Sequence, residues 1–290
     1  MGEWDNIPDK QAIVNAITQK QEKPILYTND DVKNWMTHGS KPASKVCCLV
    51  YGKDGTGKTG LVFDFLNLED VKNGYKMVVI DLDGGGMPLK ETYHKDKGEN
   101  LIVIDPLVTK ETEEGTEIDY QSTFAKIRAI IRYVRNNYIQ DKIKAIVFDG
   151  LSTALSYAEQ QMRLDKHLDV DGGVQTRYWL MRNKLFLETL EQVKGIPIAK
   201  FFIAHENFVA ESSDPLKTPS SVIMKTHMMM WQKIRCERKD STLDVNYTAT
   251  IDKSKYGSKV DGAIVNVCRV DKSTKTVKWN AKEVFKILEV

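Results

Sequence analysis

Paired thiols are missing from this sequence: its four cysteines, Cys47, Cys48, Cys236 and Cys268, form no C-x-x-C pair. Cys47 and Cys48 sit side by side in an apolar run, which reads as buried free thiols in a reducing compartment. Charge of one sign is also missing. Lys and Arg number 42 against 40 Asp and Glu, a formal net charge of +2, so no whole-chain field steers a partner. No apolar run approaches membrane-spanning length. The opening Met-Gly-Glu-Trp-Asp lacks the basic-then-apolar order of a signal peptide, and Asn6 stands where a myristoylation signal requires Ser or Thr. His38, His94, His167 and His227 show no metal-ligand spacing, and no catalytic triad, internal repeat or low-complexity segment stands out. These absences lead to the expectation of a cytoplasmic protein with no membrane partner, in which the sequon Asn246-Tyr247-Thr248 is idle.

What remains is ordinary globular composition, 41% hydrophobic and 28% charged, over 290 residues. The charge is unevenly spread: from Lys225 onward Lys and Arg outnumber Asp and Glu, while the first half leans acidic. This is either a basic face suited to phosphate or nucleic acid or a solvated lysine-rich surface. Residues 1–44 are mixed and polar and read as an N-terminal extension. In it, Thr28 or Asn29 is placed to cap a short helix through Trp35, and His38-Gly39-Ser40-Lys41-Pro42 breaks structure.

From Lys45 the pattern changes, and residues 45–290 are expected to form the core. Short apolar runs at Val46–Tyr51, Met77–Asp81, Leu101–Asp105, Ala145–Asp149 and Phe201–Ala204 lack strict alternation, as strands covered on both faces do. Helical spacing links Phe124, Ile127, Ile130, Ile131, Val134 and Tyr138, and again Leu187, Leu190 and Val193. Such alternation predicts a parallel α/β sheet flanked by helices. The tail, with β-type runs at 245–251, 263–270 and 276–279, predicts antiparallel strands finishing the sheet and a closing helix over 281–288.

One segment carries chemistry. Gly52-Lys53-Asp54-Gly55-Thr56-Gly57-Lys58-Thr59 satisfies G-x-x-x-x-G-K-[ST], after an apolar strand and before the helical pattern Leu61–Leu66. A chance match in a chain of this length is roughly a one per cent event. The glycines let successive backbone N–H groups point at phosphate oxygens. Lys58 supplies a point charge for the β- and γ-phosphates, and the Thr59 hydroxyl a magnesium ligand. The nucleotide-binding set is therefore Gly52, Asp54, Gly55, Thr56, Gly57, Lys58, Thr59 and Gly60, with ATP and Mg2+ as cofactors; no guanine-reading motif is visible. The second magnesium carboxylate is expected at the end of an apolar strand, where ligands of open α/β sheets bind. Asp149 fits, and Asp105, followed by Pro106, is its rival. Gly150 after Asp149 leaves no glutamate there, so a base must come from elsewhere. Asp81 and Asp83, at the strand end Val78-Val79-Ile80-Asp81-Leu82-Asp83, point the same way, as base or as a turn before Gly84-Gly85-Gly86. His205, ending Phe201–Ala204, is either a γ-phosphate sensor or a structural histidine.

The order of these motifs resembles RecA-core ATPases, most closely the short phage-encoded RecA-like proteins of the single-strand-annealing recombination group. The resemblance runs from about Lys45 to Val270. It rests on Tyr51–Thr59, Ile80-Asp81-Leu82-Asp83, Val147-Phe148-Asp149-Gly150-Leu151-Ser152 and Ile203-Ala204-His205-Glu206. It implies a RecA-like P-loop core in which Asp83 orients the attacking water, although the family more often has Glu, and in which His205 is the polar sensor. It implies that Lys253 and Lys255, in Asp252-Lys253-Ser254-Lys255-Tyr256-Gly257, reach a neighbouring subunit's nucleotide, against the alternative of an exposed basic turn. It also implies single-stranded DNA facing two loops: 165–178, with Lys166, His167 and Arg177, and 207–231, with Phe208, Lys217, Lys225, Met228–Met230 and Trp231. The expected function is an ATP-dependent, DNA-binding recombination or annealing protein acting as a homo-oligomer. A helicase or packaging motor, and a nucleotide-dependent assembly module without nucleic acid, are the alternatives.

Overall fold

The computed structural model describes residues 46–288 apart from 114, 170–171, 207–225, 227–228 and 256–259, together with the isolated positions 28, 30, 33 and 44. The chain divides into two units, Met1–Pro42 and Ala43–Val290, and the fold described below is that of the second. The helix expected from Thr28 or Asn29 through Trp35 falls almost wholly outside the described residues.

Six successive buried residues make β1 (Cys47–Gly52). Neighbouring side chains of a strand face opposite ways, so a strand apolar throughout needs cover on both faces. Cys47, Leu49 and Tyr51 enter one core cluster, Cys48 and Val50 the other. The chain continues through α1 (Lys58–Phe63), α2 (Leu68–Lys72), β2 (Lys76–Asp81), α3 (Gly86–Tyr93), β3 (Leu101–Ile104), β4 (Thr109–Thr112), β5 (Gly115–Ile118), α4 (Tyr120–Asn137) and β6 (Ile143–Asp149). It then forms α5 (Leu151–Asp165), α6 (Thr176–Lys194), β7 (Ala199–His205), β8 (Gln232–Asp240), β9 (Asp244–Ser254), β10 (Ile264–Asp271), β11 (Val277–Trp279) and α7 (Lys282–Leu288). Among the described residues the main sheet runs β11-β10-β9-β8-β1-β7-β6-β2-β3. It is parallel from β3 to β8 and antiparallel from β8 to β11. This is the mainly parallel sheet with an antiparallel C-terminal end expected of a RecA-like P-loop core.

Helices α4, α5 and α6 cover one face through residues such as Phe124, Ile131, Ala154 and Phe186; α1 and α7 cover the other through Leu61, Phe63 and Phe285. The Asp119 carboxylate caps α4 by accepting the Ser122 N–H at 2.9 Å. All four cysteines are buried and free.

Three elements differ from the sequence reading. Helix α3, beginning at Gly86 after the glycine run, was not read from the sequence. Strand β8 lies parallel to β1; its buried Gln232, Ile234 and Cys236 alternate with Lys233, Arg235 and Glu237, and that charge masks the strand. Among the described residues the β4–β5 hairpin pairs only with itself, and Ile118 is its one apolar side chain, leaving little apolar signal. No helix among the described residues is long and apolar enough to cross a membrane.

Candidate functional site

Parallel strands bring their C-terminal ends to one margin. Gly52 pairs in register with His205, Asp149 with Ile203, and Asp81 with Asp149. The phosphate loop and the acids expected to serve it therefore meet at the carboxyl edge of the sheet.

The loop is built around its glycines and its lysine. A Cβ on Gly52 would lie 2.3 Å from the Cys236 carbonyl oxygen and 2.8 Å from Thr56 Oγ1, so backbone approaches backbone where no side chain fits. Gly57, at φ +79, is left-handed, and its Cα faces the Tyr247 ring. Lys58 is 8% exposed. Its Nζ donates to the carbonyls of Lys53 at 2.8 Å and Gly52 at 3.2 Å, and Thr56 Oγ1 donates to Lys53 O at 2.7 Å. The lysine thus closes the loop on itself. Gly55 and the exposed Asp54 lie in the same turn, and Gly60 in the first turn of α1.

Thr59 Oγ1 donates to Asp149 Oδ2 at 2.7 Å. Asp149 is 3% exposed, and burial pushes its carboxyl up to about 7; the Thr59 hydroxyl bond opposes this, while Asp83 and Asp81 nearby reinforce it. Asp105, the rival, lies on the edge strand's exit and accepts the Leu107 N–H at 2.8 Å in a local turn. Asp81 is occupied by structure: it accepts the N–H groups of Gly84 at 2.9 Å and Gly86 at 2.7 Å, fixing the entry to α3. Burial raises its carboxyl, and these two amides pull it back.

Asp83 and His205 meet. His205 Nε2 lies 3.3 Å from Asp83 Oδ2, and His205 Nδ1 lies 2.6 Å from Asp54 Oδ1, so the imidazole spans from the phosphate loop to the end of β2. Thr153 Oγ1 donates to Asp83 Oδ1 at 2.5 Å, a contact that sequence reading missed.

A cleft of about 300 Å³ opens beside Gly55–Gly60. Leu89 and Tyr93 of α3 line one part of it, and Tyr247, Cys268, Val270 and Val277 of β9, β10 and β11 the rest. These residues also escaped the sequence reading. They are scattered over the chain and share only apolar or aromatic character, so the sheet order alone unites them. The α3 side is tied to α1: Asp64 lies 3.6 Å from the buried Lys97 and 3.4 Å from His94, whose imidazole burial lowers to about 4.

Lys253 and Lys255 are not brought to this margin. β9 runs down the sheet, so Ala249, level with Gly52 through Cys236, precedes them by four and six residues. A bulge in β9 leaves Lys253 level with Leu49 through Lys233, about 10 Å back from Gly52 at strand rise, with Lys255 farther still toward the opposite edge. Of the expected DNA-facing loops, 207–225 and 227–228, with Phe208, Lys217, Lys225 and Met228, lie outside the described residues. Trp231 packs on the core with the Lys200 ammonium 5.5 Å from its ring, which engages the face expected to stack on a base. In the other loop α5 reaches Asp165 and α6 begins at Thr176; Arg177 and Lys166 gather on the Tyr178 ring at 4.9 and 5.9 Å.

No protein-family model and no curated protein matches the chain. Solved structures do. A KaiC-like protein from the hyperthermophilic archaeon Pyrococcus horikoshii is 12% identical, with 82% of this chain and 90% of that one covered and a TM-score of 0.44. The RadB recombinase is 13% identical, with 85% and 96% covered and a TM-score of 0.47. The flagellar accessory protein FlaH from Methanocaldococcus jannaschii is 14% identical, with 88% and 98% covered and a TM-score of 0.41. Identities and TM-scores this low carry nothing about activity, ligand or partner.

Proposed function

We propose that this chain is a magnesium-dependent ATPase that binds single-stranded DNA and acts in recombination or strand annealing as an assembly of identical subunits. The observation that carries the nucleotide part is the Thr59 hydroxyl joined to buried Asp149 at the mouth of a closed phosphate loop. The donor set fits magnesium. One hydroxyl and one carboxylate leave the other positions to phosphate and water, as this ion prefers, and no group of three or more His, Cys, Asp or Glu among the described residues forms a protein cage. Burial raises the Asp149 carboxyl, and a divalent ion beside it would oppose that shift.

Bound Mg-ATP supplies the anhydride bond and the charge neutralisation that phosphoryl transfer needs. The protein's part is positional. Loop amides from Gly55 to Gly60 surround the phosphates, and Lys58 exchanges its two loop carbonyls for phosphate oxygens. Asp83 orients the attacking water, and His205, set between Asp83 and Asp54, registers the terminal phosphate. The apolar and aromatic cleft takes the base, with ATP the default nucleotide. Lys253 and Lys255, set back from their own phosphate loop, serve a neighbouring subunit's site. The DNA part is supported by the motif order quoted above.

The test is ATP turnover with and without single-stranded DNA, with sizing in the presence of nucleotide. Magnesium-dependent turnover, lost in Lys58→Ala and stimulated by DNA in a salt-sensitive way, is expected. Turnover coupled to movement along DNA favours a motor instead. Nucleotide-driven assembly without DNA binding favours an assembly module. Failure to bind Mg-ATP at millimolar concentration refutes the whole reading.

A further inference from the structure

Gly150 stands where a second carboxylate would follow Asp149, and the structure shows why none does. The residue is left-handed at φ +97, and a Cβ on it would lie 2.7 Å from Asp83 Oδ1 and 2.9 Å from Leu82 Cβ. The space beside the magnesium carboxylate is already taken by a carboxylate from the neighbouring strand. Asp83, however, lies beyond the last ladder residue of β2, Asp81. Outside the ladder its side chain needs other restraints.

Those restraints come from β6 and α5. The Leu82 N–H donates to the Asp149 carbonyl at 3.0 Å, which ties the backbone before Asp83 to the end of β6. In the first turn of α5, Thr153 Oγ1 donates to Asp83 Oδ1 at 2.5 Å, and Ser152 Oγ accepts the His205 N–H at 3.4 Å. Helix α5 is itself fixed, since Leu151, Ala154 and Ala158 are fully buried in the core cluster beneath it. Packed core, helix, hydroxyl and carboxylate thus form one continuous chain of restraint. His205 Nε2, at 3.3 Å, holds the other oxygen of Asp83 more loosely.

We infer that Thr153 is a positioning residue: its hydroxyl fixes the orientation of the Asp83 carboxylate that aligns the attacking water. The inference rests on the ATPase reading above. A short hydroxyl–carboxylate bond is among the stronger neutral-to-charged contacts, and misplacing a catalytic group by about 1 Å can cost about 100-fold in rate.

The test compares Thr153→Val, which keeps the side chain's shape, with Thr153→Ser, which keeps the hydroxyl. Each is measured alone and in an Asp83→Asn background, with ATP affinity titrated alongside turnover. Thr153→Val is expected to lower kcat by about 10- to 100-fold while KM and ATP affinity stay near wild type. Thr153→Ser restores most of the rate, and Thr153→Val costs nothing further in the Asp83→Asn protein, because both changes remove one function. The inference is overturned if Thr153→Val turns over like wild type, if Thr153→Ser is as slow as Thr153→Val, or if the loss persists in the Asp83→Asn background. It is also overturned if Thr153→Val loses ATP affinity in step with rate, since that marks a general structural role. A wild-type protein that binds no Mg-ATP or does not turn it over defeats the underlying reading instead, and the wild-type control shows this before any variant is compared.

Discussion

Replacing Asp149 with Asn should make the protein more stable in the absence of magnesium and nucleotide, while removing its response to them. Burial raises the Asp149 carboxyl from 3.8 to about 7. A group whose folded pKa exceeds its unfolded value contributes stability at low pH, and that contribution is lost as pH rises from the unfolded value toward the folded one and beyond. A shift of about three units corresponds to about 4 kcal/mol once the acid is ionised in both states. Relative to a permanently neutral side chain, wild type should therefore be weaker by under about 2 kcal/mol at pH 5, about 3 at pH 6 and about 4 at pH 8. Asparagine is that neutral side chain, and its carbonyl still accepts the Thr59 hydroxyl. Urea denaturation of both proteins at the three pH values, with an unchanged m-value, reads the difference. Adding Mg-ATP at about 100 times its Kd should stabilise wild type by about 2.7 kcal/mol and Asp149→Asn by much less. A gap that does not widen between pH 5 and pH 8, or a variant less stable than wild type at pH 8 without magnesium, refutes the claim that an uncompensated buried charge waits at this position.

Two further outcomes follow from the site. Asp83→Asn should bind ATP within a few-fold of wild type and slow turnover by about 100-fold or more; unchanged turnover in a steady-state assay means that the water-orienting group lies elsewhere. Lys253→Ala with Lys255→Ala should bind nucleotide normally as isolated subunits and lose hydrolysis in the assembly. Mixing it with Lys58→Ala subunits should restore activity at shared interfaces, and mixtures as inactive as their components exclude action on a neighbour.

The parallel core was legible because its strands are covered twice: runs such as Val46–Tyr51 and Ala145–Asp149 admit hardly any polar residue, and that density is visible without coordinates. The phosphate loop was legible because glycine, lysine and threonine are each demanded by backbone geometry or phosphate charge at fixed spacing. Strand β8 was harder, since one of its faces is charged, and the β4–β5 hairpin harder still, since it buries almost nothing. Around the site, Asp149 and Asp83 carried a signal through their position at strand ends. Thr153 and Tyr247 carried none. A threonine in a helix's first turn and a tyrosine in a half-buried strand are unremarkable until the sheet order sets them against Asp83 and Gly57.

The cleft beside the phosphate loop takes its two sides from opposite ends of the polypeptide: Gly55–Gly60 and Tyr93 from the first half, Tyr247, Cys268, Val270 and Val277 from the last strands. During synthesis the glycine turn leaves the ribosome long before those strands exist. Strand β1, which leads into that turn, is itself paired between β7 and β8, so the turn's own geometry also waits for later strands. On the proposed reading, in which the cleft takes the base, loosening the late strands β9–β11 should blur the choice of base before it weakens the hold on phosphate.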